Sequence, residues 1–112
     1  MNDIIEINGE KYAKINTSNY CIVRCKNAGV HAGYVESRKD GVIVLCDSRR
    51  LWRWWSDFSL SELAMTGVKK GKESECKFAC ALPMLILTEA DVCESIPCSS
   101  IAKLSIEGIE NA

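Results

Sequence analysis

From residue 20 onward, apolar and polar positions alternate at the period of a β-strand, and clusters of turn residues separate the runs. Tyr20 to Lys26 is one such run. Asn27-Ala28-Gly29 supplies turn chemistry, Val30 to Arg38 is a second run, and Lys39-Asp40-Gly41 is a hairpin turn. The next run, Val42 to Asp47, is apolar enough to sit centrally in a sheet. Residues 20–47 therefore read as a three-stranded antiparallel meander. Upstream, Ile4–Ile7 and Lys11–Lys14 read as weak strands around Asn8-Gly9, a two-residue hairpin signal.

The period then changes. Ser59-Leu60-Ser61-Glu62 has the capping-box spacing, Leu60, Leu63 and Ala64 follow as an apolar stripe, and Gly67 is a stop signal. The pattern predicts a helix over 60–66. Residues 68–75 form a polar loop. Cys76–Leu82 and Met84–Leu87 read as strands broken at Pro83, with an edge position or a bend there. Val92–Ile96 is a last short strand, and Ser99–Ile106 predicts a C-terminal helix ended by Gly108. The expected fold class is α+β: a small antiparallel sheet with two short helices. One domain spans 1–112, with 1–18 as an extension or weak hairpin, 20–106 as the core and 107–112 as a frayed tail.

Composition narrows the classes. A chain of 112 residues, 47% hydrophobic and 26% charged, buries a real core and is not globally disordered. No apolar run approaches the ~20 residues that span a bilayer. The opening MNDIIEINGEKYAK lacks the basic and apolar regions of a signal peptide. A net charge of −1 does not supply the positive field of a general nucleic-acid binder. A small soluble cytosolic domain is expected.

The seven cysteines are Cys21, Cys25, Cys46, Cys76, Cys80, Cys93 and Cys98. An odd number without a secretion signal argues against a disulfide framework. Zinc is tested by geometry: residues i and i+4 of a strand lie roughly 13 Å apart at about 3.3 Å per residue, too far to share an ion. That applies to Cys21/Cys25 and to Cys76/Cys80. The cysteines read as reduced thiols used as small apolar residues, and no metal or cofactor is expected.

Catalysis is poorly supplied. The single histidine, His31, falls in a strand with no carboxylate or serine next to it, and no Gly-rich phosphate loop precedes a helix. The chain is expected not to be an enzyme. Binding is better supplied, by Ser48-Arg49-Arg50-Leu51-Trp52-Arg53-Trp54-Trp55. Arginine forks suit phosphate oxygens, and indole faces suit purine stacking. Arg24, in the first meander strand, is a further candidate.

The segment Ala28-Gly29-Val30-x-Ala32-Gly33, then Asp47-Ser48-Arg49-Arg50-Leu51-Trp52-x-Trp54, then Ser59-Leu60-Ser61-Glu62-Leu63-Ala64-Met65-x-Gly67-Val68-Lys69, resembles the type I Thoeris anti-defence proteins of bacteriophages. Cys76-Lys77-Phe78, Ile86-Leu87-Thr88-Glu89-Ala90 and Ile96-Pro97-Cys98 continue the likeness over about residues 20–104. Residues 1–18, Trp55 and the C-terminus depart from the family's pattern. The resemblance implies a sponge that binds a cyclic ADP-ribose signal, and in some members cyclic oligonucleotides such as cyclic di- or trinucleotides, without cleaving it. It also implies a homodimer or higher homo-oligomer in the cytoplasm of the infected bacterial host. On chemistry alone, Arg24, Arg49 and Arg50 are expected to bind phosphate and Trp52 or Trp54 to stack on adenine. His31 is expected to line the pocket, and Lys103 to reach a phosphate from a neighbouring subunit. The alternatives are a small single-stranded nucleic-acid binder and a protein-interaction module, each using the Trp/Arg stretch.

Overall fold

A computed structural model describes residues 4–7, 10–13, 19–56 and 59–112. Strand β1 (Ile4–Ile7) pairs antiparallel with β2 (Glu10–Ala13) in a two-stranded sheet of its own. Asn8, Gly9 and Lys14, on which the hairpin expectation also rests, lie outside the described residues. The main sheet comprises β3 (Tyr20–Cys25), β4 (Val30–Lys39), β5 (Val42–Arg53), β6 (Lys77–Phe78), β7 (Leu82–Thr88) and β8 (Val92–Pro97). Its order is β6-β5-β4-β3-β8, with β7 also on β5, and every pairing is antiparallel. Two helices, α1 (Leu60–Thr66) and α2 (Ser100–Gly108), complete an α+β domain.

Alternation sorts the side chains onto two faces. Tyr20, Ile22, Ala32 and Leu51 turn to one face, where they pack with Leu63 and Ala64 of α1, Ala102 and Ile106 of α2, and Phe78. Val23, Cys25, Ile43, Leu45 and Leu87 form a second cluster on the other face, and Val23, Ile43 and Leu45 are fully buried there. Among the described residues, those packed against this cluster are Cys21, Ala28, Val35, Leu85 and Val92, all from strands or the β3–β4 turn. The chain between β7 and β8 crosses from the β5 edge to the β3 edge through a short 3₁₀ turn, Glu89–Asp91. Lys26 N donates to the Asp91 carbonyl at 2.8 Å, holding that crossing against the end of β3.

Three expectations need correction. The third meander strand does not end at Asp47: β5 runs on through Arg50 to Arg53, so the Trp/Arg stretch begins inside the sheet. Two successive neighbours make this possible, with β7 pairing along Val42–Ser48 and β6 pairing at Leu51 and Arg53. Pro83 does not break a strand. It lies within β7 between the pairs Cys46–Met84 and Ser48–Leu82, and β7 is bonded on one side only, so a missing N–H is tolerated. The tail does not fray either. Ile109 is buried, and Ala112 N donates to the Phe78 carbonyl at 2.9 Å. The cysteines are all free, with Cys25, Cys76 and Cys98 buried, Cys21 and Cys46 half-buried, and Cys80 and Cys93 exposed.

The two helices meet where α1 stops. Ser59 Oγ accepts from Glu62 N at 3.4 Å to start the helix, and Gly67, at φ 84°, ends it. A Cβ on Gly67 would stand 2.6 Å from Ser105 Cβ of α2, whose Oγ accepts from Val68 N at 2.9 Å. Gly67→Ala therefore combines a left-handed backbone with a steric clash. It is expected to lower stability by about 2 kcal/mol, read as a reduced midpoint in equilibrium urea unfolding.

Candidate functional site

Two irregularities in β5 decide where its polar side chains go. Between the pairs Ala32–Arg49 and Tyr34–Cys46, one residue of β4 (Gly33) faces two of β5 (Asp47 and Ser48), which is a β-bulge. Asp47 takes φ 49° there, and a Cβ on Gly33 would lie 2.9 Å from Ser48 Cα, so only glycine admits the bulge. Further along, Trp52 is an extra residue between Leu51 and Arg53, whose partners Phe78 and Lys77 are consecutive.

The first bulge leaves Arg49 opposite Ala32, on the helix-covered face. It is 4% exposed, and its guanidinium is taken up by the protein itself. Nε donates to the Ala79 carbonyl at 2.7 Å and Nη1 to the Ile106 carbonyl at 2.7 Å. Nη2 donates to the Phe78 carbonyl at 3.3 Å and to Asn111 Oδ1 at 3.1 Å. Burial lowers its pKa from the usual arginine value. The expectation that Arg49 offers a fork to a ligand phosphate is corrected: four acceptors already hold it.

Arg50 and His31 are cross-strand partners on the opposite face. His31 Nε2 lies 2.8 Å from the Ala28 carbonyl, and Arg50 Nη2 donates to the same oxygen at 2.9 Å. The Ala28 amide donates to the Asp91 carboxylate at 2.9 Å, and the amide and side chain of Asn27 donate to it as well. The structure thus brings Arg50 and His31 together as a clasp on the β3–β4 turn. His31 is buried, and burial lowers its pKa below 6.5. Arg24, one strand away, pairs with Glu94 of β8 at 2.8 Å.

A cavity of about 950 Å³ lies between the β6 region and α2 with the tail that follows it, and Trp52 stands in its wall. Trp52 is 58% exposed and Leu104 of α2, also lining it, is 68% exposed. Its charged side chains are Glu73, Lys77 and Glu110. Of the residues predicted from sequence, only Trp52 lines this groove. Trp54 is half-buried and packs against the helix-covered core cluster. Trp55 is similarly placed, with Lys72 Nζ 5.0 Å from its ring centre. Lys103 sits 5.2 Å over the Tyr34 ring, outside the groove. Lys77 and Leu104 were not predicted, since nothing local in their segments marks them as neighbours of Trp52. Among the described residues there is no group of three or more His, Cys, Asp and Glu side chains able to hold a metal, and no helix long and apolar enough to cross a membrane.

The chain belongs to the family described as Domain of unknown function (DUF6948), whose profile matches residues 18–106. No match is found among curated proteins or among solved structures. The family description names no activity, and it gives the likeness to anti-defence proteins no support.

Two measurements test this reading of the polar residues. Arg49→Lys replaces a fork that reaches four acceptors by a single buried ammonium that cannot reach them all, and is expected to destabilise by about 3 kcal/mol in urea unfolding. The second concerns pH. The folded-state pKa of His31 is depressed, so its contribution is complete above the unfolded value near 6.5 and is lost as pH falls through the folded value. Stability is expected to decline below about pH 6.5, and His31→Gln to flatten that decline.

Proposed function

We propose that the chain is a non-catalytic binding domain that captures a nucleotide by stacking its base on Trp52 in the groove between β6 and α2. The observation that carries this reading is Trp52 itself, 58% exposed in the wall of a cavity of about 950 Å³. Indole surface left to water at a concave site is surface available to a planar ligand, and base stacking contributes about 1–3 kcal/mol. His31, the one imidazole, is bonded to the Ala28 carbonyl and does not line the groove.

The resemblance in the sequence suggests the biological form of that capture. A cyclic ADP-ribose-type signal, or a cyclic di- or trinucleotide, would be held intact and kept from a bacterial defence effector in the host cytoplasm, by a homodimer or larger homo-oligomer. The groove alters how such a ligand is held. Glu73, Lys77 and Glu110 together carry one net negative charge, while Arg24, Arg49 and Arg50 are engaged elsewhere. Recognition falls on base and sugar rather than on phosphate, so affinity responds weakly to salt.

A second reading, a protein-interaction module, rests on β7. Leu82, Met84 and Ile86 alternate along that strand and are 46%, 58% and 60% exposed.

Calorimetric titration separates these readings. The panel is the cyclic ADP-ribose isomers, cyclic di- and trinucleotides, and a short single-stranded oligonucleotide, with bound ligand recovered and checked for integrity. One cyclic nucleotide is expected to bind tightly and return unchanged, with Trp52→Ala weakening it by roughly 10-fold or more. Silence across the cyclic ligands overturns the proposal, and turnover overturns its non-catalytic part.

A further inference from the structure

Strand β7 carries none of the usual defences of a sheet edge. Among the described residues it bonds only to β5, so its outer side is open along Leu82–Thr88. Natural sheets blunt such an edge with charged side chains, because a bare row of N–H and C=O groups is a template for another strand. No residue from Phe78 to Thr88 is charged, in a chain that is 26% charged.

The hydrogen bonds show which backbone groups face outward. Glu89 N, just past the end of β7, donates to the Gly41 carbonyl at 2.8 Å, on the β5 side. Successive residues of a strand direct their backbone groups to alternate sides. Leu85 and Leu87 therefore share the direction of Glu89, while Leu82, Met84 and Ile86 turn N–H and C=O away from β5. Pro83 falls in the first set, so each of those three outward residues keeps its donor.

The side chains of the same three residues lie together on one face and are exposed. Leu85 and Leu87 turn to the other face and join the second core cluster. Met84 and Ile86 stand beside Cys46 and Val44 of β5, both half-buried, which widens the apolar surface.

We infer that β7 pairs antiparallel with β7 of a second copy of this chain, about a twofold axis at Met84. Met84 of one copy lies opposite Met84 of the other, and Leu82 lies opposite Ile86 on either side. A self-match selects a second copy over a different protein. In this register every outward N–H meets a carbonyl, every apolar side chain meets another, and no charge opposes a like one. The exposed β7 face is thereby committed to one partner, and the inference does not rest on the Trp52 groove, which β7 does not line. One strand edge makes a small interface, on the order of 1,200 Å² in total, and a micromolar Kd is expected.

Sedimentation velocity of the full chain across the micromolar range is the test, and a reversible monomer–dimer equilibrium is expected. Met84→Lys and Met84→Glu each set like charges across the axis from an exposed position. Each is expected to weaken self-association by at least roughly 10-fold and to leave the urea midpoint in place. Mixed in equal amounts, the two variants face opposite charges and are expected to form a heterodimer. In the unaltered chain, hydrogen exchange is expected to slow at the Met84 and Ile86 amides only at concentrations where the dimer forms. A chain monomeric at every concentration overturns the inference. So does a dimer indifferent to both charges, a mixture that does not associate, or a dimer whose Met84 and Ile86 amides exchange as fast as in the monomer.

Discussion

One guanidinium holds the C-terminal third of the chain to the sheet. Arg49 lies in β5, yet the oxygens it bonds belong to Phe78 and Ala79 at β6, to Ile106 near the end of α2, and to Asn111 in the tail. These groups come from three segments, which also meet through the buried side chains of Phe78, Ile106 and Ile109. The carbonyls of a helix's last turn lack intrahelical donors, and Arg49 supplies one of them. Phe78 then stacks beneath the same group, its ring centre 5.4 Å from the guanidinium carbon. The groove walls, α2 and the tail on one side and the β6 region on the other, are therefore set by a side chain that does not line the groove.

That dependence explains why the bulge at Asp47 and Ser48 matters so far from where it occurs. One extra residue reverses the faces of everything downstream in a strand. Without it, Arg49 would point to the opposite face and Arg50 would take its place among the helices. Gly33 makes the bulge possible by letting Ser48 approach its backbone. A glycine on one strand thus determines which of two adjacent arginines becomes structural and which remains at the surface.

Much of the fold was readable because its signals are local. Alternation over residues 20–47, the Asp40-Gly41 turn, and the Ser59–Glu62 cap each act within a few residues, and β3, β4, α1 and α2 appear where those signals fall. The rest depends on partners distant in sequence. Residues 48–53 read as an arginine-rich recognition segment because nothing nearby shows that β7 and then β6 will pair with them. Arg49 was misassigned for the same reason. Its inward direction follows from Leu51, two residues on, only once both are known to be strand. Trp52 stands out in the sequence as an unusual side chain, but its companions Lys77 and Leu104 come from other segments, and Tyr20 and Asp47 look like ordinary strand residues. An orphaned hydroxyl and a left-handed backbone are visible only in three dimensions.

The sulfur content acquires a different meaning once burial is known. Burial pushes the thiols of Cys21, Cys25 and Cys76 up, and that of Cys98 to about 12. The nucleophile in thiol chemistry is the thiolate, so those sulfurs present almost none at neutral pH. An oxidant or alkylating agent would find its easiest targets in Cys80 and Cys93, the two most exposed. The reactivity of a cysteine-rich chain is in this way concentrated at its surface, while Cys25, Cys76 and Cys98 serve as compact, polarisable packing.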